Sequence, residues 1–150
     1  MYDAILIPTD GSDASTAAVE RGVAVAERFE ARVHFQHVVD VGVEMAASGV
    51  GDIADDLTET LDEMATQALD AAAARAEETG VSHERAVLEG FTRDAIVEYS
   101  DDRDVDLVVL GASGRSGLTE HLLGSTAERV AHAVDVSVSI ARPSRSRTHD

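Results

Sequence analysis

The sequence predicts one α/β domain: a doubly wound, five-stranded parallel sheet of order 3-2-1-4-5 with helices on both faces. Three observations carry that expectation. Short, wholly apolar runs such as Ala4-Ile5-Leu6-Ile7 and Leu107-Val108-Val109-Leu110 suit strands buried on both sides. They alternate with longer stretches of helical periodicity, giving the order β-α-β-α-β-α-β-α-β, which calls for right-handed crossovers and a parallel sheet. A length of 150 residues, 44% of them hydrophobic, suffices for one core.

Each element has its own signal. The first strand, Ala4-Ile5-Leu6-Ile7, ends at Pro8. From Ser12 to about Ala31 the pattern is helical, with Ala18, Gly22, Val25 and Phe29 at the spacing of one face. Val33 to Val39 reads as the second strand, with Phe35 inside it. Asp40 to Asp52 is a connection of small and apolar residues, suited either to a lid over a ligand or to a plain flexible link. Leu57, Leu61, Met64 and Ala68 give the stripe of an alanine-rich helix that stops at Gly80. Arg85 to Leu88 is a short strand signal, and Ala95, Ile96 and Tyr99 mark a short helix. Leu107 to Leu110 is the clearest strand and Gly111 ends it. A last helix is expected after Gly124, where Ser125-Thr126-Ala127-Glu128 matches a capping box and Val130, Ala131 and Val134 supply the apolar face. Val136, Val138 and Ile140 alternate with Ser137 and Ser139, as in an edge strand with one polar face. The domain is expected over 1–142, with 143–150 as a flexible tail.

Composition excludes several functions. The formal net charge is −17, and all 12 basic residues are arginine. Such a field repels phosphate backbones, so nucleic acid is not an expected partner. The charge suits an acidic, halophilic surface whose self-repulsion is screened by salt. No cysteine is present, which excludes disulfides and thiolate chemistry. No apolar run approaches the roughly 20 residues of a membrane span, and the N-terminus lacks a basic n-region, so a cytoplasmic protein is expected. His34 and His37 lie three apart on a strand and so point to opposite faces, which makes them a poor chelating pair. His132 is expected on a helix surface, and His121, inside the nine-residue gap, on the surface or within reach of a phosphate.

The residues that carry chemistry follow the fourth strand. Gly111-Ala112-Ser113-Gly114 is followed by nine residues and then Gly124-Ser125-Thr126. Gly111 and Gly114 allow a sharp bend and close approach to a ligand, and their amides can line an anion nest. Gly124-Ser125-Thr126 is expected to open a helix, whose unpaired N–H groups and positive dipole end favour phosphate oxygens, with two hydroxyls as further donors. Arg115 can supply a bidentate fork to those phosphates or remain a solvated loop arginine. Mg2+ or Mn2+ could bridge the phosphates, since such ions are commonly held by few protein groups. Asp10, just past the first strand, could accept from ribose hydroxyls or approach a phosphate-bound metal; the other reading is that Asp10, Ser12 or Asp13 forms the turn and cap of the first helix.

The Gly-x2-Gly-x9-Gly-Ser pattern, together with Pro8-Thr9-Asp10-Gly11-Ser12 and His37-Val38-Val39, resembles the universal stress protein family in its ATP-binding subgroup. The resemblance spans Tyr2 to Arg142. It implies that Asp10 meets the ribose, that main-chain groups near Val38 receive adenine, and that Gly114, Gly124 and Ser125 hold phosphates. The expected contact set is Pro8, Thr9, Asp10, Val38, Gly111, Ser113, Gly114, Arg115, Gly124, Ser125 and Thr126. The resemblance also implies a homodimer through the last strand, Val136 to Ile140, although Ser137 and Ser139 dilute an edge that is more apolar in relatives.

A regulatory, ATP-binding stress protein is therefore the leading expectation. The alternatives are a slow ATPase or autophosphorylating enzyme and a nucleotide-free dimeric adaptor. Against an enzyme, no base or lysine stands beside the phosphate turn; Ser113, Ser116 or Thr119 could accept a phosphoryl group, but hydroxyls in a glycine loop are commonplace. A flavodoxin-like flavin site is disfavoured, because aromatics are only 3% and the glycine turn follows strand four.

Overall fold

The computed structural model describes residues 2–40, 51–112 and 121–142, with the backbone alone at 40, 51–61 and 121–126. Its elements are β1 (Ala4–Pro8), α1 (Asp13–Phe29), β2 (Arg32–Asp40), α2 (Gly51–Thr79), β3 (His83–Gly90), α3 (Thr92–Asp102), β4 (Leu107–Gly111), α4 (His121–Ala133) and β5 (Ser137–Ala141). The five strands form one sheet of order β3-β2-β1-β4-β5, every pairing parallel. The expected architecture and strand order are therefore those of the structure.

Both faces of the sheet are covered. On one, Ile5, Ile7, Val33, Phe35 and Val109 pack against α1 and α2. On the other, Leu6, Val108 and Leu110 pack against Ile96 and Tyr99 of α3 and Ala127 and Val130 of α4. Pleating explains the split, since neighbouring residues of a strand alternate between faces. Each fully buried side chain such as Phe35 or Ile5 contributes roughly 1.5–3 kcal/mol by leaving water. Because the helices after β1 and β4 lie on opposite faces, the neighbouring ends of these two strands form the switch point of the sheet, where folds of this class hold their ligands.

The helical stripes match those expected in part: Ala18, Gly22, Ala68 and Val130 are buried as expected. In α1 the buried residues are Ser15, Ala18, Val19, Gly22, Val23 and Ala26, while Phe29 is 43% exposed and stacks edge-on with Tyr2. In α2 the described inward residues are Ala65, Ala68, Leu69, Ala72, Ala73 and Ala76, Met64 is exposed, and the side chains of Leu57 and Leu61 lie outside the described residues. Alanine brings these helices close to the sheet, so the smaller residues face inward and the larger ones line the rim. In α4, Ala131 is exposed where burial was expected, and Val130 and Ala127 take the core positions. The α2 stop is as expected. Gly80 takes a φ of 75°, and the Val81 and Gly80 amides bond back to Ala76 and Glu77 carbonyls.

The strand signal at Arg85 to Leu88 extends over His83–Gly90, an edge strand of alternating exposure. The helix expected after Gly124 begins earlier, at His121, so Gly124-Ser125-Thr126 lies inside α4 and not at its opening. The proposed capping box at Ser125 is thereby overturned, because the amides it was meant to satisfy are in helical continuation. The connection at 41–50 and the tail at 143–150 lie outside the described residues.

Candidate functional site at the carboxyl ends of β1, β2 and β4

The β1 exit is built from short polar side chains. Thr9 is buried, and its amide donates to the Gln36 carbonyl at 2.8 Å, one rung beyond the last paired residues, Pro8 and Gln36. There the chain leaves the sheet. Ser12 caps α1, its side chain accepting from the Ser15 amide at 3.1 Å. The fully buried Ser15 hydroxyl donates to the Ser12 carbonyl at 3.1 Å and accepts from the Thr9 hydroxyl at 3.2 Å and the Asp10 amide at 3.3 Å. Asp10 Oδ1 accepts from the Ser12 amide at 2.9 Å, an Asx-type turn. The cap of the first helix thus falls to Ser12, and Asp10 shapes the turn before it. A carboxylate has further lone pairs beyond the one that Ser12 engages.

Val38 stands on the neighbouring strand. In a parallel ladder a residue directs its N–H and C=O to the same side, and that side alternates along the strand. Gln36 turns its carbonyl to β1, so Val38, two residues on, turns its main-chain polar groups the same way, above the point where β1 has ended. Its side chain is half-buried against the α3 face. His37 lies between them with its ring on the opposite face, where Nδ1 donates to the Thr9 carbonyl at 3.0 Å. His34 points to the α3 side and bonds the Tyr99 hydroxyl at 3.0 Å. The expectation that these two histidines face opposite ways is borne out by their partners.

The β4 exit is built by steric fit. A Cβ on Gly111 would overlap the Ala14 carbonyl and lie 2.9 Å from the Ser15 amide nitrogen. This glycine therefore lets the first turn of α1 close onto β4, a packing role that the sequence did not announce. The next amide, that of Ala112, donates to the Ala141 carbonyl at 2.8 Å, so it extends the β4–β5 ladder. Ser113, Gly114 and Arg115 lie outside the described residues, and so do the amides that would form the phosphate nest. Gly124, Ser125 and Thr126 stand in α4, which follows this exit.

Pro8, Thr9, Asp10, Val38 and Gly111 are thus brought to one end of the sheet, around the β1–β4 switch point. Beside them, between α1 and α2, a cavity of about 390 Å3 is bounded by Thr9, Asp10, Gly11, Thr16, Met64 and Arg75. Arg75 is engaged by Glu78 at 3.3 Å and Glu20 at 3.7 Å. Among the described residues, no three acidic or histidine side chains gather as a metal site would require. No described helix is long and apolar enough to cross a membrane. Sequence reasoning gave Ser15 no part in this corner and met His37 only inside the His37-Val38-Val39 motif, with no contact assigned to it. Ser15 was legible in principle, since a hydroxyl three residues after a serine cap is placed to face the preceding turn; nothing local announces His37.

Comparison with known proteins agrees with this architecture. Residues 1–142 match the universal stress protein family. Universal stress protein MJ0531 of Methanocaldococcus jannaschii is 40% identical over 132 residues, covering 87% of this chain and 76% of that protein. The solved universal stress protein UspA of Lactobacillus plantarum superposes with a TM-score of 0.75 at 29% identity, covering 94% of this chain and 98% of that one. A universal stress protein solved in complex with cAMP superposes with a TM-score of 0.69 at 27% identity, covering 95% of this chain and 98% of that one. With the family matched across nearly its whole length and the same sheet order at its centre, this chain belongs to the universal stress protein family.

Proposed function

We propose that this protein is an adenine-nucleotide-binding regulator of the stress response, with ATP as its ligand, acting in the cytoplasm as a homodimer paired through β5. The observation that carries the reading is the corner made by β1 and β2. The Val38 main chain is directed over the end of β1, and Asp10 is held rigidly beside it. A main-chain donor and acceptor suit the edge of adenine, and a carboxylate suits the ribose hydroxyls. The cAMP complex of a relative at 27% identity supports an adenylate in this fold. Gly114, Arg115, Gly124, Ser125 and Thr126 would then meet the phosphates from the β4 side, with Mg2+ or Mn2+ bridging phosphate oxygens. Pro8 and Thr9 form the floor beneath the sugar.

Thermal denaturation with ATP and Mg2+ tests this directly. At a hundredfold excess over the dissociation constant, ligand stabilises the fold by about 2.7 kcal/mol. For a domain of this size that raises melting by roughly 5–11 °C. Gly114→Val should abolish the rise, and Asp10→Ala should reduce it. An unchanged melting temperature at millimolar ATP would leave the nucleotide-free adaptor as the better account.

A further inference from the structure

We propose that His37 is a positioning residue for the nucleotide corner: its ring takes the place of the missing β1–β2 rung, fixing the Asp10 turn while leaving the Val38 main chain directed at the ligand. This rests on the adenylate reading above and names a residue that reading does not use.

The geometry follows from the ladder. Pro8 pairs with Gln36, and the Thr9 amide donates to the Gln36 carbonyl. If the parallel ladder ran one rung further, the Thr9 carbonyl would accept from the Val38 amide. The chain leaves the sheet at this point, and the Thr9 carbonyl is met by His37 Nδ1 at 3.0 Å. A carbonyl can only accept, so Nδ1 carries a proton and is the donor of this bond. His37 is 7% exposed and Thr9 is 4% exposed, so this bond is shielded from competing water. Thr9 is then gripped from three directions: its amide by Gln36, its carbonyl by His37 and its hydroxyl by Ser15. Asp10 is the next residue, with its amide on Ser15 and its carboxylate on the Ser12 amide. Freezing Thr9 therefore freezes the direction in which Asp10 presents its remaining carboxylate oxygen. A group so pre-organised binds without a further ordering cost.

Two variants test this in the full chain. In His37→Leu the donor is lost. In His37→Asn it is kept, because Asn Nδ2 is as many bonds from Cβ as His Nδ1. The first measurement is ligand-free amide hydrogen exchange by NMR. His37→Leu should speed exchange at Asp10 and Ser12 by about tenfold, as expected for loss of a bond of ~1.4 kcal/mol, with Val108 and Val109 unchanged; His37→Asn should stay near wild type. The second is titration with ATP and Mg2+, where the dissociation constant should rise about tenfold in His37→Leu and stay within about threefold in His37→Asn. Exchange that is unchanged in His37→Leu, or that rises equally across the sheet, overturns the clamp. Equal loss of affinity in both variants also overturns it, as a mere packing role would predict. If wild type binds no adenylate, the nucleotide reading falls with the ligand half of this inference, and the exchange result alone still decides the clamp.

Discussion

The two strand exits at the switch point hold their shape by different means. At the β1 exit, four polar side chains (Thr9, Asp10, Ser12 and Ser15) and one ring (His37) bond one another and the main chain, each satisfying a buried or half-buried partner. At the β4 exit the described contacts are main-chain hydrogen bonding and absence of bulk: Gly111 admits the first turn of α1, and Ala112 continues the ladder to Ala141. Hydrogen-bonded corners fail by degrees, because each bond is worth only ~0.5–1.5 kcal/mol. Steric corners fail at once, because a closely packed backbone cannot move aside for a side chain.

The largest expected effect therefore lies at Gly111. Gly111→Val should destabilise the fold by about 3 kcal/mol, near the upper range for overpacking a core. Its melting temperature should fall by roughly 6–12 °C. A loss near zero would mean that α1 and β4 can separate cheaply, and the contrast between the exits would break. Ser15→Ala comes next, at about 1–2 kcal/mol, because three groups lose their common partner. Thr16→Ala sharpens that test. Thr16 bonds the same Ser12 carbonyl at 3.0 Å from an exposed position, and its loss should stay within about 0.5 kcal/mol. Equal losses in the two variants would show that burial of the Ser15 hydroxyl network is not what matters.

The smallest effect concerns pH and should leave both exits untouched. His34 lies on β2 near its start, far along the strand from the ligand end. Burial lowers its pKa from the usual 6.5, with Glu84 pulling the other way and Arg103 and Arg32 adding to the fall. Between the lowered value and 6.5 the unfolded chain binds more protons than the folded one, so stability declines as pH falls through this window. His34→Gln should make that decline shallower in melting curves taken from pH 7.5 to 5.5. The wild-type exchange rates at Asp10 and Ser12 should not follow the same titration. If they do, the two ends of β2 are coupled, and the β1 exit is less self-contained than its bonds suggest.

Much of the architecture was legible without coordinates. The apolar runs at Ile5 and Val108 suit doubly covered strands, and Gly80 suits a helix stop, because both signals depend on residues next to one another in the chain. Helix faces were harder. Met64 and Phe29 looked like core by size and spacing, yet alanines took the inward positions, since the distance between helix and sheet is set by the whole layer and not by one helix. The start of α4 was misread for a related reason: a serine with a glutamate three residues on can cap a helix, but helical continuation from His121 had already occupied those amides.

By itself, then, the sequence determined the alternation of strands and helices, the strongly negative net charge and the presence of Asp10 beside a strand end. Periodicity and composition are local properties that survive without a partner. Only the tertiary structure decided that Gly111 makes room for α1, that Ser15 joins three groups, and that a histidine from β2 closes the turn after β1. Those roles join residues 3 to 97 positions apart, and the distant pairs, His37 with Thr9 and Gly111 with Ala14, meet only in the folded chain.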